Sequence, residues 1–333
     1  MLPINILLPT RNSRHLLPDH LRSARAWLDS AAEITVVDSL SNDGTIEFLQ
    51  AELRHPRVRW LTHPPGLYQS WNHGIAHGGA EFTYISTIGD TITREGLAHL
   101  VETARRLACD VVISRPRFVA ADGREARSPR WPIHELIADL GIGAPARVER
   151  FTMFFLACIH ALGPDLNGVL GSSASNLYRT DVLQRLPFPF DYGRAGDVAW
   201  GLLEAFRFQI GVTPEICSTF LLHPNTSGET AASYRAASGR LAVAAERCLQ
   251  TAVEGDPMIR EACAAADLRE LLHELADWRN SAFQLQVCRD SRLPWVLSWA
   301  AWRARNRARR HRHNVARLRH RFLAHRRAAP GSR

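Results

Sequence analysis

"EITVVDSLSNDGTIEFLQAEL", residues 33–53, changes its periodicity halfway along. The first six residues are rich in β-branched side chains and end on an acid, Asp38, which reads as a buried strand. From Asp43 onward Ile46, Leu49 and Leu53 fall at helical spacing. A strand that gives way to a helix over so short a distance is the repeating unit of a parallel α/β sheet.

The alternation continues on both sides of this stretch. "INILLP" (4–9) reads as a strand and is followed by a helix through Leu21, Ala24 and Leu28. "RVRWLT" (57–62) alternates like a strand, and "YQSWNHGIAH" (68–77) predicts a short helix. "TYISTIGDT" (83–91) is the next strand, running into Gly89 and a lone acid, Asp90. "REGLAHLVETARRLA" (94–108) is an amphipathic helix and "DVVISR" (110–115) returns to strand. Strand and helix in strict turn predict an α/β fold: a mostly parallel, Rossmann-like sheet with helices on both faces. Beyond residue 116 the rhythm loosens. A hairpin turn is expected at Asp122-Gly123, helix over 132–160, a Gly/Ser-rich loop over 163–175, helix over 197–208 and a strand over 218–223. Past residue 228 the pattern is helical almost throughout, so two regions are expected, 1–227 and a helical 228–333 with a basic tail.

Composition narrows the class. Hydrophobic residues make up 46% and charged residues 22% of the 333, enough apolar content for a substantial core. The net charge of +8 is carried by arginine alone, because the sequence contains no lysine. Between Arg303 and Arg333 lie 12 of the 41 arginines, so the basic excess belongs largely to the tail. Six cysteines stand far apart with no Cys-x-x-Cys pair, which argues against a zinc ribbon and a dense disulfide scaffold and for reduced thiols. "MLPINILLPT" reads as a first core strand and not as a secretion signal. No apolar run approaches the ~20 residues that span a bilayer. A cytoplasmic location is therefore expected.

In open parallel α/β sheets, ligands bind outside the carboxyl ends of the strands. Polar residues gather there: Thr10, Arg11 and Asn12 after the first strand, Asp38 and Ser39 after the second, Asp90 after the fourth. An acid can accept from the N–H of a planar base, while hydroxyls and backbone amides hold phosphates. Asp38 alone reads equally as a turn or cap acid.

"VVDSLSNDGT" (36–45) resembles the V-V-D-D-G-S-x-D-G-T signature of family 2 glycosyltransferases of the GT-A fold. "GLYQSWNHGIA" (66–76) is similar to the family's G-x-Y-D-A-x-N-x-G-I segment, and "PTRN" (9–12) matches in position. The resemblance covers about residues 3–225. It implies sugar transfer from a nucleotide-diphosphate donor to an acceptor hydroxyl, with inversion at the anomeric carbon. Carried over, it places Asp38 on the donor's base, lined by Thr10 and Arg11, with Asn72 and Gly74 facing the donor. Where the family has D-x-D-D, this chain reads Thr87-Ile88-Gly89-Asp90, so only Asp90 remains to support the diphosphate. The resemblance implies a magnesium or manganese ion at Asp90, with His223 as a further ligand; arginine guanidinium is the alternative carrier of positive charge. "FDYGRAGDVAW" (190–200) resembles the family's acid-rich segment, with Asp197 on its second acid and Gly196 in place of the first. That makes Asp197 the candidate general base, the competing role being a helix cap. Tyr68 and Trp71 read as packing residues, with a cover for the donor's base as the alternative role of Tyr68.

Trp295, Trp299 and Trp302 share one helical face at the start of the basic tail. Tryptophan beside a polybasic run suits an anionic bilayer surface; simple packing of the tail is the competing reading. Nucleic acid ranks behind both, since no sequence-reading motif is present. The expectation is an inverting glycosyltransferase taking a UDP-sugar to a glycan or lipid-linked acceptor in cell-surface polysaccharide synthesis, peripheral at the inner membrane face. A catalytically degenerate binding module is the alternative, favoured by the missing acids. A nucleotidyltransferase would need a glycine-rich phosphate loop, and "LPTRNSRH" (8–15) has no glycine.

Overall fold

Leu2–Thr10 forms strand β1, whose side chains alternate between two cores. Ile4, Ile6 and Leu8 enter one cluster and Leu7 the other. Ala31–Asp38 (β2) divides in the same way, Ile34 and Val36 to one side and Val37 to the other. Burial on both faces is why these strands read as continuous apolar runs. The structure is a computed structural model. It describes residues 1–120, 122–126, 131–161, 168–222, 231–268, positions 270, 271, 273, 274, 277, 280, 281, 284 and 285, and residues 299–328.

Val58–Thr62 (β3), Phe82–Ile85 (β4), Thr91–Ile92 (β5), Val111–Ala120 (β6), Ala146–Val148 (β7), Asn176–Arg179 (β8) and Ile210–Leu222 (β9) complete a nine-stranded sheet among the described residues. Its order is β3-β2-β1-β4-β8-β6-β9-β5, with β7 also paired to β9. Strands β1, β2, β3, β4, β6 and β9 run one way; β5, β7 and β8 oppose them. The mostly parallel sheet expected from the sequence is present. Register sets Thr10 beside Asp38, and Asp38 beside Thr62.

Helices cover both faces. Leu17–Leu28 (α1), Thr45–Glu52 (α2) and, past Leu67–Ala76 (α3), Arg94–Arg106 (α4) bury Leu21, Trp27, Leu49, Leu97 and Leu100 against one face. On the other, α3 packs through Tyr68, Trp71 and Ile75, joined by Pro132–Asp139 (α5), Arg150–Ala161 (α6), Thr180–Arg185 (α7) and Gly196–Glu204 (α8).

Three expectations change. The helix expected over 132–160 is two helices, because α5 stops at Asp139, Gly141 turns the chain at φ 64° and β7 follows. The strand expected over 218–223 begins at Ile210, where pairing to β6 overrides its weak alternation. Strand β4 ends at Ile85, so Asp90 lies in the turn beyond it and not at the strand's end. The hairpin turn at Asp122-Gly123 is present, with Gly123 at φ 80° and Val119 bridging Glu125.

Ala231–Gly255 (α9), Pro257–Ala265 (α10) and Trp299–Ala328 (α11) form the helical extension. Leu241, Leu249, Ile259 and Phe322 lie in the same cluster as Phe154 and Trp200, and Phe322 stacks on Phe155 with centroids 4.0 Å apart. The extension thus shares the core of the sheet's outer helices. No helix among the described residues is long and apolar enough to cross a membrane. Cys109, Cys158, Cys217, Cys248 and Cys263 are free thiols.

Candidate active site

The loops leaving β1 and β2 are tied to each other. Asn12 N–H donates to Ser41 Oγ, Asn42 N–H to Asn12 Oδ1, Ser13 N–H to Thr45 Oγ1 and Arg14 N–H to Asp43 Oδ2, all within 2.8–3.1 Å. The "NDGT" stretch is therefore scaffolding: Asp43 caps Thr45, and Gly44 takes φ 82°, a left-handed conformation that suits glycine. Between the two loops lie Thr10 and Asp38, each about 5% exposed. Thr10 Oγ1 is buried with no hydrogen-bond partner among the described residues. A buried hydroxyl left unpaired carries a desolvation cost that a bound ligand can relieve. Asp38 accepts from Ser41 Oγ at 2.6 Å and from Ser41 N–H at 3.0 Å, so its carboxylate shapes its own loop and keeps one lone pair on each oxygen. Arg11 is exposed at the rim.

Helix α3 carries the next group. Ser70 Oγ meets Ser39 Oγ at 2.6 Å, which holds the start of α3 against the end of β2. Asn72 does not reach out toward a ligand. Its Nδ2 donates to Phe188 O at 2.8 Å and its Oδ1 accepts from Phe188 N–H at 3.0 Å. Gly74 gives α3 its closeness to the sheet, since a Cβ there would lie 2.3 Å from Leu7 Cδ1 and 2.8 Å from Val37 Cγ2.

Asp197 stands in the first turn of α8, where the helix N-terminus favours a carboxylate. Its Oδ1 accepts from Tyr68 Oη at 2.7 Å and from Val198 N–H at 2.8 Å. Its Oδ2 makes no hydrogen bond to the described residues. Burial pushes its pKa up, partly opposed by the bonds from Tyr68 and Val198. A carboxylate with one oxygen fixed, one oxygen open and raised basicity can take a proton from a hydroxyl.

Asp90 follows β4 in a turn held to β9. Its Oδ1 accepts from Leu221 N–H of β9 at 2.9 Å, and burial pushes its pKa to about 7. Gly89, at φ 105°, makes the turn that presents it. The imidazole of His20, from α1, braces this turn through Ser86 Oγ at 3.1 Å and Gly89 N–H at 3.3 Å. Burial pushes the His20 pKa to about 4, so the ring is neutral, accepting at Nδ1 and donating from Nε2. A cavity of about 590 Å³ lies elsewhere, against α11, walled by residues that include Glu274, Asp277, Arg307, Arg310 and His311.

A model of the family described as "Glycosyl transferase family 2" matches residues 5–174 of this arrangement. The chain belongs to glycosyl transferase family 2. Among solved structures it is similar to S. aureus TarS 1–349 in complex with UDP-GlcNAc, at 15% identity and a TM-score of 0.59, covering 98% of this chain and 89% of that one. The same TarS fragment in complex with UDP gives 16% identity and a TM-score of 0.52 over 95% of this chain and 90% of that one. These likenesses show the fold. No curated protein matches the chain in sequence.

As a family 2 glycosyltransferase, the chain departs from the family's acid pattern. Among the described residues no group of three or more His, Cys, Asp and Glu side chains is placed to hold an ion. At Asp90 the donor set is one carboxylate with an oxygen already bonded to Leu221 N–H, which does not make a protein-built magnesium or manganese site. His223 lies outside the described residues. Two residues of this site were missed in the sequence. Tyr68 reads as core there, yet its hydroxyl holds Asp197. His20 has no role in the sequence reading, yet it is 2% exposed and clamps the acid-bearing turn. A histidine among the apolar positions of α1 was the only sequence signal for it.

Proposed function

We propose that this glycosyltransferase works with inversion, taking a UDP-sugar and passing the sugar to a glycan or lipid-linked acceptor in cell-surface polysaccharide synthesis. The observation that carries the reading is Asp197: Oδ1 is anchored, Oδ2 is open, and the carboxyl is raised in basicity, on α8 and joined through α3 to the Asp38 loop. In this reading Asp38, Thr10 and Arg11 line the nucleoside pocket, and the unpaired Thr10 hydroxyl finds its partner in the donor. The choice of a uracil nucleotide takes support from the UDP and UDP-GlcNAc held by TarS. Asp90 lies on the diphosphate side. Asn72 serves the donor only indirectly, through the loop it holds.

The step balances without further reagents. Asp197 Oδ2 takes the acceptor's hydroxyl proton as the acceptor oxygen bonds to the anomeric carbon from the face opposite the diphosphate. The sugar–phosphate C–O bond breaks and its electron pair leaves on the nucleoside diphosphate. The Asp197→Asn variant should lose UDP-GlcNAc turnover by about a hundredfold or more while UDP binding by calorimetry is retained. Turnover at the wild-type rate in that variant would refute the assignment.

A second reading, a degenerate module that binds and does not transfer, is favoured by Thr87-Ile88-Gly89 standing where the family has acids. Calorimetry with a panel of nucleotide sugars, with and without manganese, separates the two. Donor binding with slow hydrolysis indicates an enzyme, and no binding of any donor indicates the module. We further propose that the chain works at the cytoplasmic face of the membrane, where α11 meets anionic lipid.

A further inference from the structure

The position before the candidate base holds no side chain, and an aromatic ring fills the space. A Cβ added at Gly196 would lie 2.4 Å and 2.5 Å from ring carbons of Tyr68 and 2.3 Å from Pro189 O. The Tyr68 ring is boxed in by Trp71, edge-on at 5.1 Å, and by Phe188, stacked at 6.0 Å. Asn72, one turn along α3 from Tyr68, grips the Phe188 backbone at both its N–H and its carbonyl. The hydroxyl then has two acceptors in reach, Asp197 Oδ1 at 2.7 Å and Arg194 O at 3.0 Å. It is 126 residues away from the second in sequence, so the contact is purely tertiary.

We propose that Tyr68, admitted by the missing side chain at Gly196, is the positioning residue of the general base, holding Asp197 Oδ1 so that Oδ2 alone faces the acceptor hydroxyl. This rests on Asp197 being the base. Without that bond Oδ1 keeps only the Val198 N–H, and the carboxylate is less firmly fixed about its last torsion, at a cost in the alignment on which proton removal depends. The phenol stays protonated, because burial and the nearby Asp197 charge push its pKa well above the usual value, so it remains a donor throughout. The titratable groups that bear on Asp197 are Tyr68 on α3 and, more weakly, Tyr178 on β8. Arg194, in the turn ahead of α8, meets Tyr68 with its backbone carbonyl.

Tyr68→Phe keeps the ring and removes only the hydroxyl. UDP-GlcNAc turnover, with water as acceptor, is the kinetic probe. The rate should fall about tenfold or more. The acid limb of its pH profile should move up by about one unit, because a hydrogen bond that favoured the charged carboxylate is gone. NMR titration of ¹³C-carboxyl-labelled aspartate, with Asp197→Asn to assign the signal, should show the same upward move without any substrate. Gly196→Ala, which pushes the ring aside, should reproduce that carboxyl shift if the variant folds. A hydroxyl that matters only for packing would lower Tm and leave both the pH profile and the carboxyl titration where they are, and that result overturns the proposal. Full turnover in Asp197→Asn would instead remove the base assignment itself. An inactive Asp197→Asn beside an unshifted Tyr68→Phe would remove only the role of Tyr68.

Discussion

Asp90 is buried without a cation beside it among the described residues, and its pKa moves from 3.8 to about 7 for that reason. Between those values the folded chain keeps a proton that the unfolded chain has already released. Stability therefore falls as pH rises from about 4 to about 7, and the full penalty applies above that. At about 1.4 kcal/mol per unit the penalty is at most roughly 4 kcal/mol. Asp90→Asn retains an acceptor for Leu221 N–H and removes the charge. By scanning calorimetry it should melt above the wild type at pH 8, with the gain shrinking by about half or more at pH 5. A pH-independent difference would contradict the account. A buried acid that costs stability fits a functional group. With no second acid to help it, Asp90 should leave the ligand-free protein without measurable manganese affinity by calorimetry; tight binding would contradict the donor set described here. The position of Asp38 at a strand end was legible from the sequence, because the strand ending follows the apolar run, whereas Asp90 lies five residues past the end of its strand. The geometry of Asp90 was not legible, since its partners Leu221 and His20 come from β9 and α1.

At the scale of the element, α3 organises the site. Its sequence periodicity was sufficient to find it, and "YQSWNHGIAH" differs from the observed helix by one residue at each end. What periodicity did not disclose is the use made of each face. Gly74 lies against Leu7 and Val37, Ser70 against Ser39, and Asn72 against Phe188, which is 116 residues further along the chain. Such pairings depend on how the sheet brings distant loops together and leave no local trace. Gly74→Ala should lower the unfolding free energy by about 1–3 kcal/mol in urea titrations, because the added methyl has no room against two packed side chains. An unchanged midpoint would mean that α3 can lift from the sheet at little cost. The break at 139–149 was overlooked because α5 and α6 are each apolar enough to read as one helix, although Gly141, Gly143 and Pro145 mark the interruption.

Across the whole molecule, the basic tail divides in two. Toward its end Arg317, Arg319, Arg321 and Arg326 pair with Glu270, with Glu135 and Asp139, with Asp267 and with Glu149, which fastens α11 to the rest of the chain. Nearer its start Arg307, Arg309, Arg310 and Arg312 make no ion pair with the described residues. There Trp299 and Trp302 are 65% and 55% exposed, and Arg303 lies 3.6 Å from the Trp299 ring centroid. The sequence marked this segment by composition but could not say which arginines the fold would neutralise. Trp295, read with the other two, lies outside the described residues. Vesicles rich in phosphatidylglycerol should sediment the protein and neutral vesicles should not, with the Trp299→Ala/Trp302→Ala variant bound more weakly. Equal sedimentation by both vesicle types would contradict an electrostatic surface.

The central claim is that donor and base meet where β1, β2 and β4 end against α3 and α8. Amide hydrogen exchange with and without saturating UDP, and in parallel GDP, tests it most directly. The account predicts slowed exchange over residues 10–13, 38–45, 66–72 and 86–90, with α9 to α11 unchanged. Protection confined to the cavity beside α11, or absent with both nucleotides, would contradict it.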